Sequence, residues 1–213
     1  MQQSEHDMVL AASEMDLHLK SVSISWHKKG LDTVKEDWII EAGLALNPPE
    51  IVPKLRSDMG LTLRLFTIID LSNNTLGAVP LVLFQMPSLK ILNLSENNLK
   101  VIPTVSLEEQ HGNDGEEGKD TFHMFSMNWN CPSMETLDLS HNHLKEIPKN
   151  VFEMPNLQIG NFSWNQIVSL PFEMWIAPSL KTLSLEHNLL KALPVFAGSS
   201  GVIAKEKKAK QMK

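Results

Sequence analysis

The stretch LKILNLSENNL, from Leu89 to Leu99, contains a pattern that recurs four more times along the chain. The other copies are FTIIDLSNNTL from Phe66, METLDLSHNHL from Met134, LQIGNFSWNQI from Leu157 and LKTLSLEHNLL from Leu180. Consecutive copies start 23 residues apart, except that 45 residues separate the starts at 89 and 134. That longer interval corresponds either to two periods or to one period with an insertion. A phrase that recurs at this period predicts a chain built from stacked repeats.

Alternation inside the phrase predicts a short strand. Leu92 and Leu94 are two residues apart and share one face, while Ile91, Asn93 and Ser95 occupy the other. The leucine face is predicted to be core and the other face to be exposed. A single coil of 23 residues cannot bury its own leucines, so stability must come from stacking on neighbours, and the end coils need caps.

An asparagine occupies the ninth place of every copy. Its amide can donate to and accept from the backbone of the neighbouring turns. We therefore predict a structural asparagine column that satisfies buried backbone groups. Its members are Asn74, Asn97, Asn142, Asn165 and Asn188.

Each copy fits L-x-x-L-x-L-x-x-N-x-L and is followed by an apolar residue and a proline, as at Ile102-Pro103. Over about residues 15–196 the chain resembles the leucine-rich repeat family, in its intracellular class with 23-residue repeats. The resemblance implies an α/β fold, namely a leucine-rich repeat solenoid. Such a solenoid has a curved, concave parallel β-sheet and a convex side of irregular, 3₁₀ or short helical segments.

The segment before Phe66 is less regular. Residues 1–65 are predicted to be an amino-terminal cap with one or two degenerate repeats. Val22, Ile24 and Trp26 alternate with serines and indicate a strand, and a second degenerate coil would begin near Leu44. An irregular capping segment is the alternative. In either case the segment would cover the open edge of the first regular coil.

Residues 66–196 are assigned to the repeats, with an acidic insertion at about 104–130 and a basic tail at 197–213 that is expected to be disordered. The insertion is interpreted as a solvated loop, and the sequence does not decide whether it has a specific role. An apolar cluster at its end, including Phe122 and Trp129, is expected to pack its return onto the solenoid. No polar closing coil follows Pro194, which leaves open that the chain is a piece of something longer.

Composition excludes several classes of protein. A formal net charge of −6 and a pI near 5.7 argue against nucleic acid as a partner. The single cysteine, Cys131, excludes an internal disulfide framework. The first residues lack the basic and apolar regions of a signal peptide, and no apolar stretch approaches the roughly 18 residues needed to span a membrane. We expect a cytoplasmic protein with no membrane span.

The concave face is the expected partner-binding surface, because its outward places are free of the core. These are the third, fifth, seventh and eighth places of each copy. Trp164 is the candidate anchor, since large aromatic side chains dominate interface energies, and packing on the adjacent loop is its alternative role. The candidate partner-binding residues are Ile68, Asp70, Asn73, Ile91, Asn93, Glu96, Asp138, His141, Ile159, Asn161, Trp164, Ser184, Glu186 and His187.

No catalytic motif is present. The sequence contains no phosphate-binding loop, no dinucleotide fingerprint and no nucleophile elbow. His141 and His187 share a column but should lie about 9–10 Å apart, too far to bind one zinc ion. We therefore expect neither metal nor cofactor, no small-molecule substrate and no enzyme activity.

The expected function is that of a non-catalytic scaffold that binds a protein partner on the concave face. An alternative comes from a narrower resemblance. The acidic insertion and the degenerate stretch SISWHKKGLDTVKEDWI, from Ser23, are similar to the repeat arm of Roco-type leucine-rich-repeat kinases. That resemblance implies a fragment or regulatory arm of a multidomain GTPase and protein kinase.

Overall fold

A computed structural model describes residues 20–103, 129 and 131–195 of the chain. The predictions for the extreme amino terminus, for most of the acidic insertion and for the basic tail therefore lie outside the described residues. The domain boundaries at 65/66 and 196/197 stay predictions.

One parallel sheet runs the length of the described chain. Its six strands follow one another in sequence order. They are β1 (Val22–Ser25), β2 (Phe66–Asp70), β3 (Ile91–Asn93), β4 (Thr136–Asp138), β5 (Ile159–Asn161) and β6 (Thr182–Ser184). All neighbours pair in parallel with the repeat places aligned, as in the pairing of Ile91 with Thr136. The predicted α/β repeat solenoid is confirmed.

The long interval between the copies at Leu89 and Met134 contains an insertion. Strand β3 pairs directly with β4, and Leu92 lies opposite Leu137. No strand lies between them in the sheet, so the interval is one period plus an insertion. Trp129, at the end of the insertion, stacks on Phe84 with ring centroids 4.3 Å apart and donates from Nε1 to the carbonyl of Pro103 at 3.0 Å.

Within the described residues 20–65, the amino-terminal segment supplies one strand and three helices. Strand β1 pairs directly with β2, and between them lie α1 (Glu36–Ala45), α2 (Val52–Ser57) and α3 (Met59–Leu63). Leu44 is a buried residue of α1, so the alternative of a second degenerate coil beginning there is wrong. Glu36 and Asp37 occupy the first turn of α1, where carboxylates interact favourably with the helix dipole.

Short helical connectors return the chain to the next strand. They are the 3₁₀ helices Leu81–Phe84 and Phe172–Trp175 and the α-helix α4 (Lys149–Glu153). A proline directly precedes each one, and its fixed φ suits the start of a helical turn. The recurring proline of the repeat thus marks where each connector begins.

The core lies under the sheet, between the strands and the connectors. Side chains at the fourth and sixth places are buried, including Leu92, Leu94, Leu137 and Leu139, all at 0% exposure. The fourth coil departs from this pattern, because Gly160 and Phe162 hold these two places. An added Cβ at Gly160 would lie 2.9 Å from Cε2 of Phe162, so the phenyl ring occupies the space that a leucine fills elsewhere.

The asparagine column joins successive coils through hydrogen bonds. In Asn97, Oδ1 accepts from the amide of Leu76 at 3.0 Å, and Nδ2 lies 3.0 Å from the carbonyl of Leu71 and 3.1 Å from that of Leu94. Thus one side chain satisfies backbone groups of its own coil and of the preceding one. The same pattern recurs at Asn142, Asn165 and Asn188, while Asn74 bonds to the backbone of the β1 coil.

Candidate functional site

The face of the sheet opposite the core is open along β2 to β6. We call it the open sheet face and define it by the third, fifth and eighth places of the five regular coils, together with the exposed Glu186 at the seventh place of the last coil. None of the fourteen candidate residues on it is buried. Its third places form a row of directly paired residues, in which Ile68 and Ile91 are 38% exposed and Ile159 is 45% exposed. Thr136 and Thr182 complete this row.

The fifth and seventh places have a structural role that sequence reasoning missed. Asp70 Oδ1 accepts from the amide of Ser72 at 3.0 Å and from its hydroxyl at 2.6 Å. The same two bonds occur at Asn93 with Ser95, at Asp138 with Ser140 and at Asn161 with Ser163. Acidic or amide side chains that bind the backbone two residues later stabilise turns.

These bonds change the interpretation of two columns. The seventh-place serines are not free contact positions, because their hydroxyls bind the fifth-place side chains and Ser72 and Ser140 are each only 5% exposed. The fifth-place side chains use one oxygen in the turn, and Oδ2 of Asp138 also accepts from Nδ2 of Asn161 at 3.0 Å. The recurring D/N-x-S spacing in the sequence could have indicated these turn hydrogen bonds. The last coil departs from the pattern, since Glu186 replaces serine there.

The eighth place is a position of left-handed backbone. In the regular coils φ is 54° at Asn73 and Glu96, 53° at His141, 56° at Trp164 and 53° at His187. Asparagine tolerates this conformation, whereas a bulky side chain is strained there by about 1 kcal/mol or more. The backbone aims all five side chains out of the turn, and Asn73 reaches Glu96 of the next coil through a hydrogen bond from Nδ2 to Oε2.

Three aromatic rings from successive coils stack on one another at the eighth place. The indole of Trp164 lies between the imidazoles of His141 and His187, with centroid distances of 5.2 and 3.7 Å. Trp164 is nevertheless 50% exposed. The structure therefore brings together three of the predicted site residues, and we call them the aromatic ridge.

Replacing the central ring of the ridge tests whether the strained side chain is needed for folding. Trp164→Asn should change the free energy of unfolding by less than about 1 kcal/mol, because relief of the strained backbone offsets the lost stacking on two imidazoles. Asn73 already occupies this place in the first regular coil with nearly the same φ. Urea denaturation of both proteins measures the change, and a loss of more than about 2 kcal/mol would make Trp164 a core residue.

Neither a three-ligand metal cluster nor a reactive cysteine occurs among the described residues. Within residues 20–103 and 131–195 no three His, Cys, Asp or Glu side chains are grouped closely enough to hold a metal ion. Burial raises the pKa of the Cys131 thiol to about 12, so the thiol remains protonated and weakly nucleophilic at neutral pH. Its Sγ donates to the carbonyl of Leu83 at 3.7 Å. Among the described helices, none has the length and apolar character to cross a bilayer.

Comparisons with known proteins agree with this geometry. The family model for the leucine rich repeat matches residues 64–109 and 132–190. Leucine-rich repeat serine/threonine-protein kinase 1 of Caenorhabditis elegans is 39% identical over 83 residues, which make up 39% of this chain and 3% of that protein. The chain thus spans a small fraction of the length of the curated relative it matches.

One solved structure gives the same result for the fold. The crystal structure of the leucine-rich repeat domain of APL1B superimposes with a TM-score of 0.55 and 18% identity, covering 88% of this chain and 45% of that one. A plant peptide hormone receptor, RGFR1 in complex with RGF2, is 25% identical over 63% of this chain and 18% of its own, with a TM-score of 0.47.

Proposed function

Because the chain is a leucine-rich repeat protein, we propose that it is a non-catalytic binding module that holds a protein partner across its open sheet face. The observation that carries the proposal is the row of exposed isoleucines beside the aromatic ridge. Ile68, Ile91 and Ile159 lie on a face that the solenoid's own core does not need. Exposed apolar side chains grouped on one surface are typical of protein interaction sites.

The rigidity of the face also supports binding. Each strand is held by its neighbours, and the fifth-place side chains fix the turns that follow β2, β3, β4 and β5. A surface whose backbone is already ordered loses little conformational entropy when a partner docks. We place the activity in the cytoplasm, on the cysteine content and on the intracellular class of repeat that the sequence resembles.

The proposal is tested by capture of partners from a cell extract with two matched variants. Ile91→Glu puts a charge in the centre of the isoleucine row, whereas Val101→Glu puts the same charge on an exposed residue that lies outside the open sheet face. We expect the first variant to lose partners that wild type and the second variant retain, by at least about tenfold in recovered amount. If both variants lose the same partners to the same extent, or if both retain all of them, the proposal is contradicted.

A second candidate function is supported by the kinase match. The relative that this chain matches over 83 residues is a leucine-rich repeat serine/threonine-protein kinase. On that basis the repeats would form the regulatory arm of a multidomain GTPase and protein kinase. An immunoblot with an antibody against the acidic insertion measures the mass of the endogenous polypeptide. A band near 23.9 kDa contradicts this candidate, and a band several times larger supports it.

A further inference from the structure

We propose that the occupant of the open sheet face is an amphipathic α-helix with a basic flank. The inference rests on the proposed function and adds the chemistry of the partner. Two features of the face carry it, namely the spacing of its apolar row and the one-sided distribution of its carboxylates.

The spacing of the apolar row matches the repeat of a helix. Strand neighbours in a sheet are about 4.8 Å apart, and one helical turn rises about 5.4 Å. A helix lying across the strands therefore presents about one side chain to each strand. Residues i, i+3 and i+10 of such a helix rise about 0, 4.5 and 15 Å and would reach Ile68, Ile91 and Ile159, which lie about 0, 4.8 and 14.4 Å along the row.

An extended peptide fits the row less well. Alternate side chains of a strand are about 6.6 Å apart, a longer step than the roughly 4.8 Å that separates Ile68 from its direct neighbour Ile91. A helix contacts both with residues one turn apart. The separation of the two isoleucines by a single strand step thus favours the helix.

Charge on the face points to basic residues in the occupant. The third, fifth, seventh and eighth places of the six coils contain four carboxylates, and Lys28 of the β1 coil is their one lysine or arginine. The carboxylates all lie on the same side of the isoleucine row, because the fifth, seventh and eighth places follow the third. They are Asp70, Glu96, Asp138 and Glu186.

The opposite side of the row has a different character. Lys90 pairs with Glu135 at 3.7 Å, and Nζ of Lys181 donates to Gln158 at 2.8 Å, so these second-place lysines already have partners within the sheet. A helix with lysine or arginine on one flank only would therefore place that flank over the carboxylates. The aromatic ridge borders the same side along β4 to β6 and would contact the aliphatic parts of those long side chains.

Three labelled peptides of about 18 residues test the inference by fluorescence anisotropy. The first is built from leucine and lysine with leucine on one helical face. The second has the same composition in an order that destroys that face, and the third replaces every lysine with glutamate. We expect the wild-type protein to bind the first peptide at least tenfold more tightly than either of the others, with affinity that falls as salt is raised.

Protein variants locate the binding on the open sheet face. Ile91→Ser should lower the affinity of the protein for the first peptide about tenfold, and Val101→Ser should leave that affinity unchanged. Glu96→Gln combined with Glu186→Gln should lower the same affinity about threefold to tenfold and reduce its dependence on salt concentration. Equal binding of the scrambled peptide, or equal binding to Ile91→Ser, overturns the inference.

The result separates this inference from the function on which it rests. If partner capture depends on Ile91 while the amphipathic peptide fails to bind, the face is a protein-binding site whose occupant is not a basic helix. If capture is also indifferent to Ile91, the proposed function itself fails.

Discussion

Asn97→Ala should lower the free energy of unfolding by about 2–4 kcal/mol, the largest effect we expect from a single substitution on this sheet. The side chain is 5% exposed and bonds through both of its polar atoms. Its loss leaves the amide of Leu76 and the carbonyl of Leu71 inside the stack without that partner. Buried backbone groups that lose a partner incur a large desolvation cost. Urea denaturation followed by circular dichroism measures the change.

The adjacent residue provides a matched control. Asn98 is also an asparagine, but its side chain is exposed, and its backbone amide bonds to Leu76 whatever the side chain is. Asn98→Ala should therefore change stability by no more than about 0.5 kcal/mol. Similar effects at the two positions would show that the asparagine column does not hold the coils together.

Gly160→Leu should destabilise the fold by about 1–3 kcal/mol, and combining it with Phe162→Leu should remove most of that cost. The added side chain alone would clash with the phenyl ring of Phe162, since even its Cβ would lie 2.9 Å from that ring. Phe162→Leu alone should cost about 1–2 kcal/mol by leaving a cavity. The double variant restores the leucine pair that the third coil has at Leu137 and Leu139.

A double-mutant cycle, read from thermal or urea unfolding, measures this coupling. We expect the double variant to lie within about 1 kcal/mol of wild type and the interaction energy to be about 2 kcal/mol or more. Gly77→Leu is the control, because an added Cβ there meets no atom within 4 Å. Additive effects of the two core substitutions would mean that Gly160 and Phe162 do not share one space.

The periodic part of the fold was predictable from the sequence because each repeat place sees the same surroundings. The leucine pattern gave the strands from β2 to β6, and the asparagine at each ninth place was expected to bond to neighbouring turns. The interval between β1 and β2 was not predictable in this way. Its length is close to two periods, so Leu44 was consistent with a second coil, whereas the chain forms α1 to α3 there.

The site was predictable in position but not in detail. The repeat positions of the candidate residues predicted that they lie on one exposed face, and they lie on such a face in the structure. The hydrogen bonds that Asp138 accepts from Ser140 depend on the geometry of the turn two residues later, which the assignment of residues to repeat places does not contain. The aromatic ridge depends on the left-handed backbone at Trp164, which brings its ring between two imidazoles of adjacent coils. Partner binding by these residues stays a prediction.

Hydroxyl-radical footprinting with a captured partner tests the central claim most directly, because the chain has a matched pair of exposed tryptophans. Trp164 is 50% exposed on the open sheet face, and Trp38 is 42% exposed on α1, outside that face. We predict that adding the partner lowers the rate of oxidation of Trp164 at least about threefold and leaves the rate at Trp38 unchanged. Protection of Trp38 with no change at Trp164 would contradict binding across the open sheet face.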